Sequence, residues 1–552
     1  MVRWRLFVLN QSRVGIVLSI YISRFSRFIA SVLLVLWVLP AAASDWEQAV
    51  QALTAKKNNQ KQQAIEQLIA TGDKRNSLIF NSLLEANLYY QKSDKQVVVA
   101  IKEGSLYRLS SVIDGADLGT VKKSKIKKIS VNNKIRRQLR NGLALVGLNA
   151  DDASERIAAI RSLMNTAYAS YTPIIEQRLV AEQDKDVIAK LKEMQAIINL
   201  QDGDAAAREA AAELLAGKLD PASRNVLVKQ QSAEQDPQVL AAIDKAIATN
   251  QQLLQINTVA ENMYFGISLG AVLLLAAVGL AITFGVMGVI NMAHGEMIML
   301  GAYTTYVVQQ LMPNNIEWSL LVAIPAAFVV SGLVGILIER GVIRFLYGRP
   351  LETLLATFGL SLVLQQAVRS IFGPLNQAVI TPQWMSGSLE INGVLSLTYN
   401  RLYIIIFSFM VVATLWTILR KTFFGLQMRA VTQNRPMANS MGIRSSWVDA
   451  MTFGLGSGIA GIAGVALSQL TNVGPNLGQN YIIDSFMVVV FGGVGNLFGT
   501  VIGALTLGIA NKLMEPFAGA VLAKILVLVF IILFIQKRPR GLFALKGRTV
   551  ED

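Results

Sequence analysis

Residues 284–303 of this chain read Phe-Gly-Val-Met-Gly-Val-Ile-Asn-Met-Ala-His-Gly-Glu-Met-Ile-Met-Leu-Gly-Ala-Tyr. They lie inside an otherwise almost wholly apolar segment, residues 264–308, yet they include Asn291, Glu296, four glycines and His294, the only histidine of the protein. An ionisable side chain within a membrane segment costs about 2.5–3.5 kcal/mol on insertion scales, so it faces a protein interior or a water-lined path. The stretch is therefore a candidate functional site.

Helical geometry separates the polar side chains of this stretch. Asn291 and His294 are three residues apart and share a helix face, whereas Glu296 points about 200° away from His294 at roughly 100° per residue. A regular helix would not bring all three together. Two interpretations follow. Residues 288–296 either form a tight turn whose polar groups are wet at the membrane surface, or interrupt a helix beside a solute path, where glycines free backbone groups for a ligand.

Composition indicates a membrane protein that carries a soluble part. Hydrophobic residues make up 53% of the 552 residues and charged residues 16%, and the apolar residues are concentrated after position 263. The formal charge is +15, but much of it lies beside apolar spans, which indicates membrane orientation rather than nucleic-acid binding. The absence of cysteine excludes disulfides and thiolate metal sites, and a single histidine excludes a histidine-rich one. We expect no cofactor and no metal.

The N-terminal residues 1–43 are predicted to be a signal peptide. Arg24 and Arg27 precede the mostly apolar run 28–39, and small residues at positions 41–43 follow it. This run is too short to cross a hydrocarbon core of about 30 Å, which favours a cleaved export signal over an anchor. The alternative is an uncleaved first membrane helix.

Residues 44–261 are predicted to form an extracytoplasmic, mostly helical domain. Apolar residues recur at helical spacing, as in Ile188, Leu191, Met194 and Ile197, and successive helices indicate stacked helical pairs. Residues 97–101 and 105–109 are strand-like and predict a small β insert. The basic run 122–128 is either a site for anionic lipid headgroups or an acidic partner or, as is more usual, a solvated face.

Residues 262–543 are predicted to be a polytopic α-helical membrane domain of about eight or nine hydrophobic segments, some of them broken. The predicted spans are residues 264–287, 292–311, 320–338, 351–372, 402–419, 448–470 and 520–536, with 482–514 as a glycine-interrupted pair.

Positive charges orient these spans. Basic residues cluster in alternate connections: Arg340, Arg344 and Arg349; Arg420, Lys421, Arg429, Arg435 and Arg444; Lys537, Arg538, Arg540, Lys546 and Arg548. By the positive-inside rule these connections and the tail, residues 544–552, face the cytoplasm, and the domain 44–261 faces outward.

A second glycine-rich stretch resembles a counterpart of the first. Residues 491–500 read Phe-Gly-Gly-Val-Gly-Asn-Leu-Phe-Gly-Thr and place Asn496 and Thr500 in apolar sequence. They are candidates for a second broken segment on a shared path. The alternative is helix packing, because Gly499 and Gly503 form a G-x-x-x-G pattern that allows helices to approach closely.

The basic connection 425–443 predicts a short helix parallel to the membrane. Pro436 favours a helix start and Gly442 a helix end, which leaves five or six helical residues.

Residues 288–303 resemble the signature of the branched-chain-amino-acid type of ABC importer permeases, and they are most similar to its urea-transporter branch. The resemblance extends over about half of the chain, residues 264–543. The connection 425–443 resembles the coupling loop that docks on an ATPase subunit in this family, with matching positions at Arg429, Ala430, Asn434, Ala438 and Gly442. The sequence contains no G-x-x-x-x-G-K-[ST] phosphate loop, so ATP hydrolysis must be supplied by another protein.

The resemblance implies a permease subunit in a bacterial inner membrane, with two ABC ATPase subunits, a second related permease and an extracytoplasmic solute-binding protein as partners. The resemblance also implies that the protein is a transport subunit rather than an enzyme. Urea is the expected solute, because the large outer domain resembles the urea branch, and a branched-chain amino acid is the alternative. The expected path residues, which supply fixed hydrogen-bond partners for a small solute, are Asn291, His294, Glu296, Asn496 and Thr500.

Two other classes fit less well. An ion-coupled secondary transporter needs titratable residues in its spans, and beyond His294 and Glu296 the apolar segments contain almost none. A membrane sensor needs a cytoplasmic output domain, which the short basic tail does not provide.

Overall fold

The computed structural model describes residues 45–543 except positions 72, 74, 167 and 168. The predicted signal peptide and the predicted tail 544–552 lie outside the described residues. The chain divides between Asn250 and Gln251 into two compact units, the N-terminal unit and the C-terminal unit. The fold prediction is confirmed: both units are mostly helical, and the N-terminal unit contains a small antiparallel sheet.

The N-terminal unit consists of short helices around one sheet. Its helices are α1 (Asp45–Ala52), α2 (Asn58–Thr71), α3 (Asn76–Leu84), α4 (Asn133–Gly147), α5 (Ala153–Met164), α6 (Thr172–Ala181), α7 (Lys185–Asp202), α8 (Ala205–Leu215), α9 (Pro221–Gln231) and the start of α10 (Pro237–Met287). Its strands are β1 (Leu88–Gln91), β2 (Val97–Glu103), β3 (Leu106–Ser111), β4 (Asp117–Lys122) and β5 (Ile126–Lys128).

The sheet has the strand order β4-β3-β2-β1-β5 with antiparallel neighbours. Its alternating side chains divide between two clusters, as expected for a period of two residues. Val97 packs with the helices α1–α4, whereas Val98 and Ala100 pack on the opposite face with Leu109. A separate helical core extends from α4 to the start of α10.

An arginine–glutamate motif occurs twice in the helical part of this unit. Ala-Glu-Gln-Asp stands at residues 181–184 and again at 233–236. Arg156 of α5 donates to Glu182 at 3.0 Å, and Arg208 of α8 donates to Glu234 at 2.8 and 3.0 Å. Each carboxylate also accepts from the next two backbone amides. The same arginine–glutamate arrangement thus recurs along the helical part of the N-terminal unit, as expected for stacked helical pairs.

These hydrogen bonds control the charge of both glutamates. The guanidinium of Arg208, followed by the amide of Asp236, lowers the pKa of Glu234 to about 2. Burial raises the pKa of Glu182, but the amide of Asp184 and the guanidinium groups of Arg178 and Arg156 outweigh burial and lower that pKa to about 2. Both side chains are therefore ionised at neutral pH.

The C-terminal unit contains the rest of α10 and nine further helices among the described residues. They are α11 (His294–Leu311), α12 (Ile316–Gly341), α13 (Pro350–Phe372), α14 (Tyr399–Lys421), α15 (Phe423–Gln433), α16 (Arg435–Ser440), α17 (Ser445–Ser468), α18 (Gln479–Gly492) and α19 (Leu497–Lys537). Strands β6 (Ser388–Glu390) and β7 (Ser396–Thr398) form a hairpin before α14.

Six helices of the described residues are long and apolar enough to cross a membrane: α10, α12, α13, α14, α17 and α19. Helix α19 reverses direction at Gly519, which has φ +77° and follows Pro516. The reversal brings residues 538–543 back to the start of the same helix, where the amide of Phe543 donates to the carbonyl of Gly492. The region is thus polytopic, as predicted.

Small residues join the helices α11, α12 and α17. The backbone of Gly301 contacts that of Gly461, and an added methyl group at Gly464 would meet the carbonyl of Ile298. On the same face of α17, one turn earlier, Gly335 of α12 lies directly against Ser457. Such close contacts allow extensive van der Waals packing between helices in lipid. They fix the framework on which the polar residues are placed.

Candidate functional site

The helix interruption predicted in residues 284–303 is present. Helix α10 ends at Met287, Gly288 has φ +65°, and α11 begins only at His294. We call residues 288–293 the first break. The imidazole Nε2 of His294 lies 2.9 Å from the carbonyl of Ala276, about three turns before the end of α10. The chain therefore turns back beside α10, and α11 begins partway along its neighbour.

Three polar atoms at this place have no hydrogen-bond partner among the described residues: Asn291 Oδ1, His294 Nδ1 and Glu296 Oε2. Their residues are 2%, 0% and 1% exposed. Because the carbonyl of Ala276 can only accept, Nε2 of His294 donates, and Nδ1 of the neutral ring is an acceptor. Buried polar atoms without a partner are uncommon in folded proteins, so each of these three atoms is a candidate for a functional role.

A polar face on α13 covers the first break. It consists of residues spaced four apart on one side of the helix: Thr353, Thr357, Ser361, Gln365 and Arg369. Thr357 Oγ1 accepts from the amide of Met292 at 3.1 Å. Ser361 Oγ and Gln365 Nε2 each donate to Glu296 Oε1 at 2.8 Å. One carboxylate oxygen of Glu296 is thus fully used, and the other has no donor.

His294 and Glu296 face different neighbours, as their spacing predicts. His294 is directed at α10, where its ring also meets Gly279, whereas Glu296 is directed at α13. A third neighbour is the start of α18, because the backbone of Gly295 packs against Gly478. The polar face reaches this place as well, since Arg369 donates to Asn476 Oδ1 at 2.7 Å.

The second predicted interruption lies between α18 and α19. We call residues 493–496 the second break. Its polar groups are satisfied: Asn496 Oδ1 accepts from the amide of Gly499 at 3.1 Å, and its Nδ2 donates to the carbonyl of Phe543 at 3.2 Å. Thr500 Oγ1 donates to the carbonyl of Asn496 at 3.0 Å. Asn496 therefore caps α19.

The two breaks are neighbours in space, because Gly285 at the end of α10 packs against Gly495. The five expected path residues nevertheless divide into two groups. Asn291, His294 and Glu296 lie around the first break and retain unsatisfied atoms, whereas Asn496 and Thr500 bond within their own segment and to Phe543.

Sequence reasoning missed Thr357, Ser361 and Gln365. Their spacing of four within an apolar helix was the available signal, since such residues lie on one face.

The predicted short helix in the basic connection is confirmed as α16. Asn434 Oδ1 caps it by accepting from the amide of Met437 at 3.0 Å, and Gly442 has φ +86° just beyond its end. Arg429 of α15 donates to the carbonyl of Leu419. Ala430 is partly buried and packs against a hydrophobic core of the C-terminal unit.

Ala438, a family-matching position within this helix, is 4% exposed and packs inside the C-terminal unit, so its side chain does not belong to the exposed surface of the loop. The outward residues of the helix end are Met437 and Met441, which are 60% and 77% exposed.

Comparison with known proteins gives the following similarities. A family described as "Branched-chain amino acid transport system / permease component" matches residues 262–535. The high-affinity branched-chain amino acid transport system permease protein LivH of Salmonella typhimurium is 32% identical over 291 residues, which cover 51% of this chain and 94% of LivH. BraD of Pseudomonas aeruginosa, with the same description, is 29% identical over the same shares. The ribose import permease protein RbsC of Bacillus subtilis is 34% identical over 105 residues, 18% of this chain and 33% of RbsC. No solved structure matches the chain.

Proposed function

Since the chain belongs to the branched-chain amino acid transport permease family of ABC transporters, we propose that it is the membrane-spanning subunit of an ATP-driven importer whose solute is urea. As a permease component it is the transport subunit and not the catalytic one. The role as a permease thus follows from the family, and the identity of the solute is our proposal.

The observation that carries the choice of urea is the set of acceptors at the first break. Asn291 Oδ1, His294 Nδ1 and Glu296 Oε2 are buried without donors among the described residues. Urea presents two amino groups, which donate, and one carbonyl oxygen, which accepts. A solute that is rich in hydrogen-bond donors therefore complements these three acceptors.

A zwitterionic amino acid also needs hydrogen-bond donors or a cation in the site, because these bind its carboxylate. The arginine on the polar face, Arg369, is already hydrogen-bonded to Asn476. The resemblance of the large N-terminal domain to the urea branch supports the same choice. The second candidate remains a branched-chain amino acid, which is favoured by the descriptions of LivH and BraD.

The partners form part of the proposal. The loop around α16 is the ATPase-coupling loop, with Arg429, Ala430, Asn434, Ala438 and Gly442 at its family positions. Met437 and Met441 supply its exposed apolar surface. An ABC motor has two ATPase subunits and this chain has one such loop, so a second related permease completes the complex. A solute-binding protein delivers the solute to the outer face.

The orientation follows from the basic connections. We place this multi-pass protein in the bacterial inner membrane with the N-terminal domain, residues 44–261, outside and the tail, residues 544–552, inside. Residues 262–543 form the permease domain in this scheme. Residues 1–43 direct export as a signal peptide.

Uptake by the reconstituted complex tests the proposal. Vesicles that contain both permeases, the ATPase and the binding protein are supplied with labelled urea or labelled leucine, with and without ATP. We expect ATP-dependent uptake of urea that exceeds that of leucine by about tenfold or more, a difference of about 1.4 kcal/mol. Leucine uptake without urea uptake would overturn the choice of solute and leave the permease assignment intact. Uptake of either solute without ATP would contradict the ABC mechanism.

A further inference from the structure

Arg435 joins three elements at the basic end of the C-terminal unit. It is the first residue of α16, and its Nη2 donates to Asp449 Oδ2 of α17. Its guanidinium carbon also lies 4.0 Å from the centre of the Tyr347 ring, in the connection before α13. A planar guanidinium can form a hydrogen-bonded ion pair and stack on an aromatic ring at once. A single side chain thus connects α16, α17 and the base of α13.

The acid partner of Arg435, Asp449, is buried. The Asp449 side chain is 6% exposed, and Asp449 Oδ1 has no partner among the described residues. A second carboxylate, Glu339 at the end of α12, lies within electrostatic range of Asp449 and Arg435. Removing one member of a buried ion pair leaves an uncompensated charge. Arg435 therefore fixes α16 to the packed pair of α12 and α17.

The opposite side of α16 is available to a partner. Met437 and Met441 are exposed, whereas Ala438 and Arg435 face the interior of the unit. A force applied to the exposed side would therefore reach Arg435 through a helix of only six residues.

The second contact of Arg435 leads to the polar face. Tyr347 follows a short 3-10 turn, Ile343–Leu346, and Thr353 Oγ1 donates to the carbonyls of Leu346 and Arg349 at 3.1 and 2.8 Å. Thr353 is the first member of the polar face, and Thr357, Ser361 and Gln365 continue it to the first break. A continuous series of contacts therefore connects α16 with Glu296.

We propose that Arg435 is the positioning residue that couples α16 to α13. Its contacts with Asp449 and Tyr347 hold the start of α13 in a fixed position relative to α16. Movement of α16 on a partner then shifts the polar face against the first break. The inference rests on the proposed role of α16 as the ATPase contact. It adds to that role the route by which the contact reaches the solute site.

The coupling ratio, ATP hydrolysed per solute taken up, is the test. We expect Arg435→Ala to raise this ratio about tenfold while the ATPase co-purifies in normal amount, because Met437 and Met441 still form the docking surface. Arg435→Lys, which keeps the charge but not the planar group, should give a smaller rise. The charge exchange Arg435→Asp with Asp449→Arg should recover part of the coupling that Arg435→Ala loses. Lys421→Ala is the control, since Lys421 is an exposed basic residue at the end of α14 that lies outside the connection 425–443.

The variant Tyr347→Leu keeps the ion pair and removes the aromatic side chain that Arg435 stacks on, so it tests the route if Arg435→Ala does not fold. We expect it to raise the ratio about threefold. A wild-type ratio in both Tyr347→Leu and Arg435→Lys, with normal amounts of permease, would overturn the inference. Failure of the ATPase to co-purify with the wild-type permease would instead overturn the proposed role of α16.

Discussion

The two breaks of the C-terminal unit share a sequence signature and differ in how their polar atoms are used. Both combine glycines with an asparagine in apolar sequence. Around the first break, acceptors of Asn291, His294 and Glu296 have no donor among the described residues. At the second, Asn496 bonds with the amide of Gly499 and the carbonyl of Phe543.

Polarity in an apolar segment therefore does not by itself identify a solute site. A polar group that completes a helix end stabilises the fold, whereas a buried group without a partner is free to bind a ligand. The comparison predicts that substitutions at the first break change transport and that those at the second change stability.

The largest effect is expected for Glu296→Leu. It removes one unsatisfied acceptor and leaves Ser361 and Gln365 without their shared partner, at about 1–3 kcal/mol for each buried group. We expect the initial rate of uptake per inserted permease to fall by about a hundredfold. The control is Glu352→Gln, because Glu352 is exposed in the first turn of α13. Uptake within about twofold of wild type would remove Glu296 from the site.

A carboxylate with every bond satisfied provides the reference for Glu296. In the N-terminal unit, Glu234→Ala should accelerate hydrogen exchange in α8 and α9 of the full-length protein by about tenfold at pH 7, because Arg208 and two backbone amides lose their acceptor. The control is Glu213→Ala, an exposed residue of α8.

The pH dependence of this effect has a defined sign. The pKa of Glu234 is lowered from 4.5 to about 2 in the folded state. Its stabilisation is therefore complete above about pH 4.5 and is lost as the pH falls towards 2. The difference between variant and wild type should shrink between these values, and a difference that grows on acidification would contradict the assignment.

A smaller effect is expected for His294→Ala. The ring loses its bond to the carbonyl of Ala276 and the acceptor Nδ1, and we expect uptake to fall about fivefold with normal membrane insertion. Thr500→Val is the matched control, since it removes a buried hydroxyl from α19, next to the second break. Equal uptake by both variants would show that His294 only packs.

The smallest effect is expected for Asn496→Ala. Loss of a helix cap costs about 1 kcal/mol, so the melting temperature of the purified permease should fall by a few degrees. Uptake per folded molecule should not change. A loss of uptake as large as that of His294→Ala, at normal stability, would show that the second break also lines the path.

Short-range sequence features, such as glycine, proline and the spacing of polar residues, predicted much of this fold. Glycine and proline mark backbone conformations that other residues disfavour, so Pro436 and Gly442 gave the ends of α16, and Gly288 the end of α10. The spacing of His294 and Glu296 also predicted that they face different neighbours.

Local signals could not predict which polar groups are satisfied. The donors to Glu296 come from Ser361 and Gln365, 65 and 69 residues further along the chain. The burial of Ala438 was not predicted for the same reason, because it depends on packing within the C-terminal unit. Long-range contacts of this kind depend on the packing of whole helices, which no short motif specifies.

The cover of the second break has a consequence for biosynthesis. Asn496 receives its partner from Phe543, 47 residues later, and the amides of Leu542 and Phe543 donate to Phe491 and Gly492. While the ribosome is still translating α19, the break is inserted without this cover. Closure of the second break therefore has to wait until residues 538–543 have been synthesised and have folded back onto it.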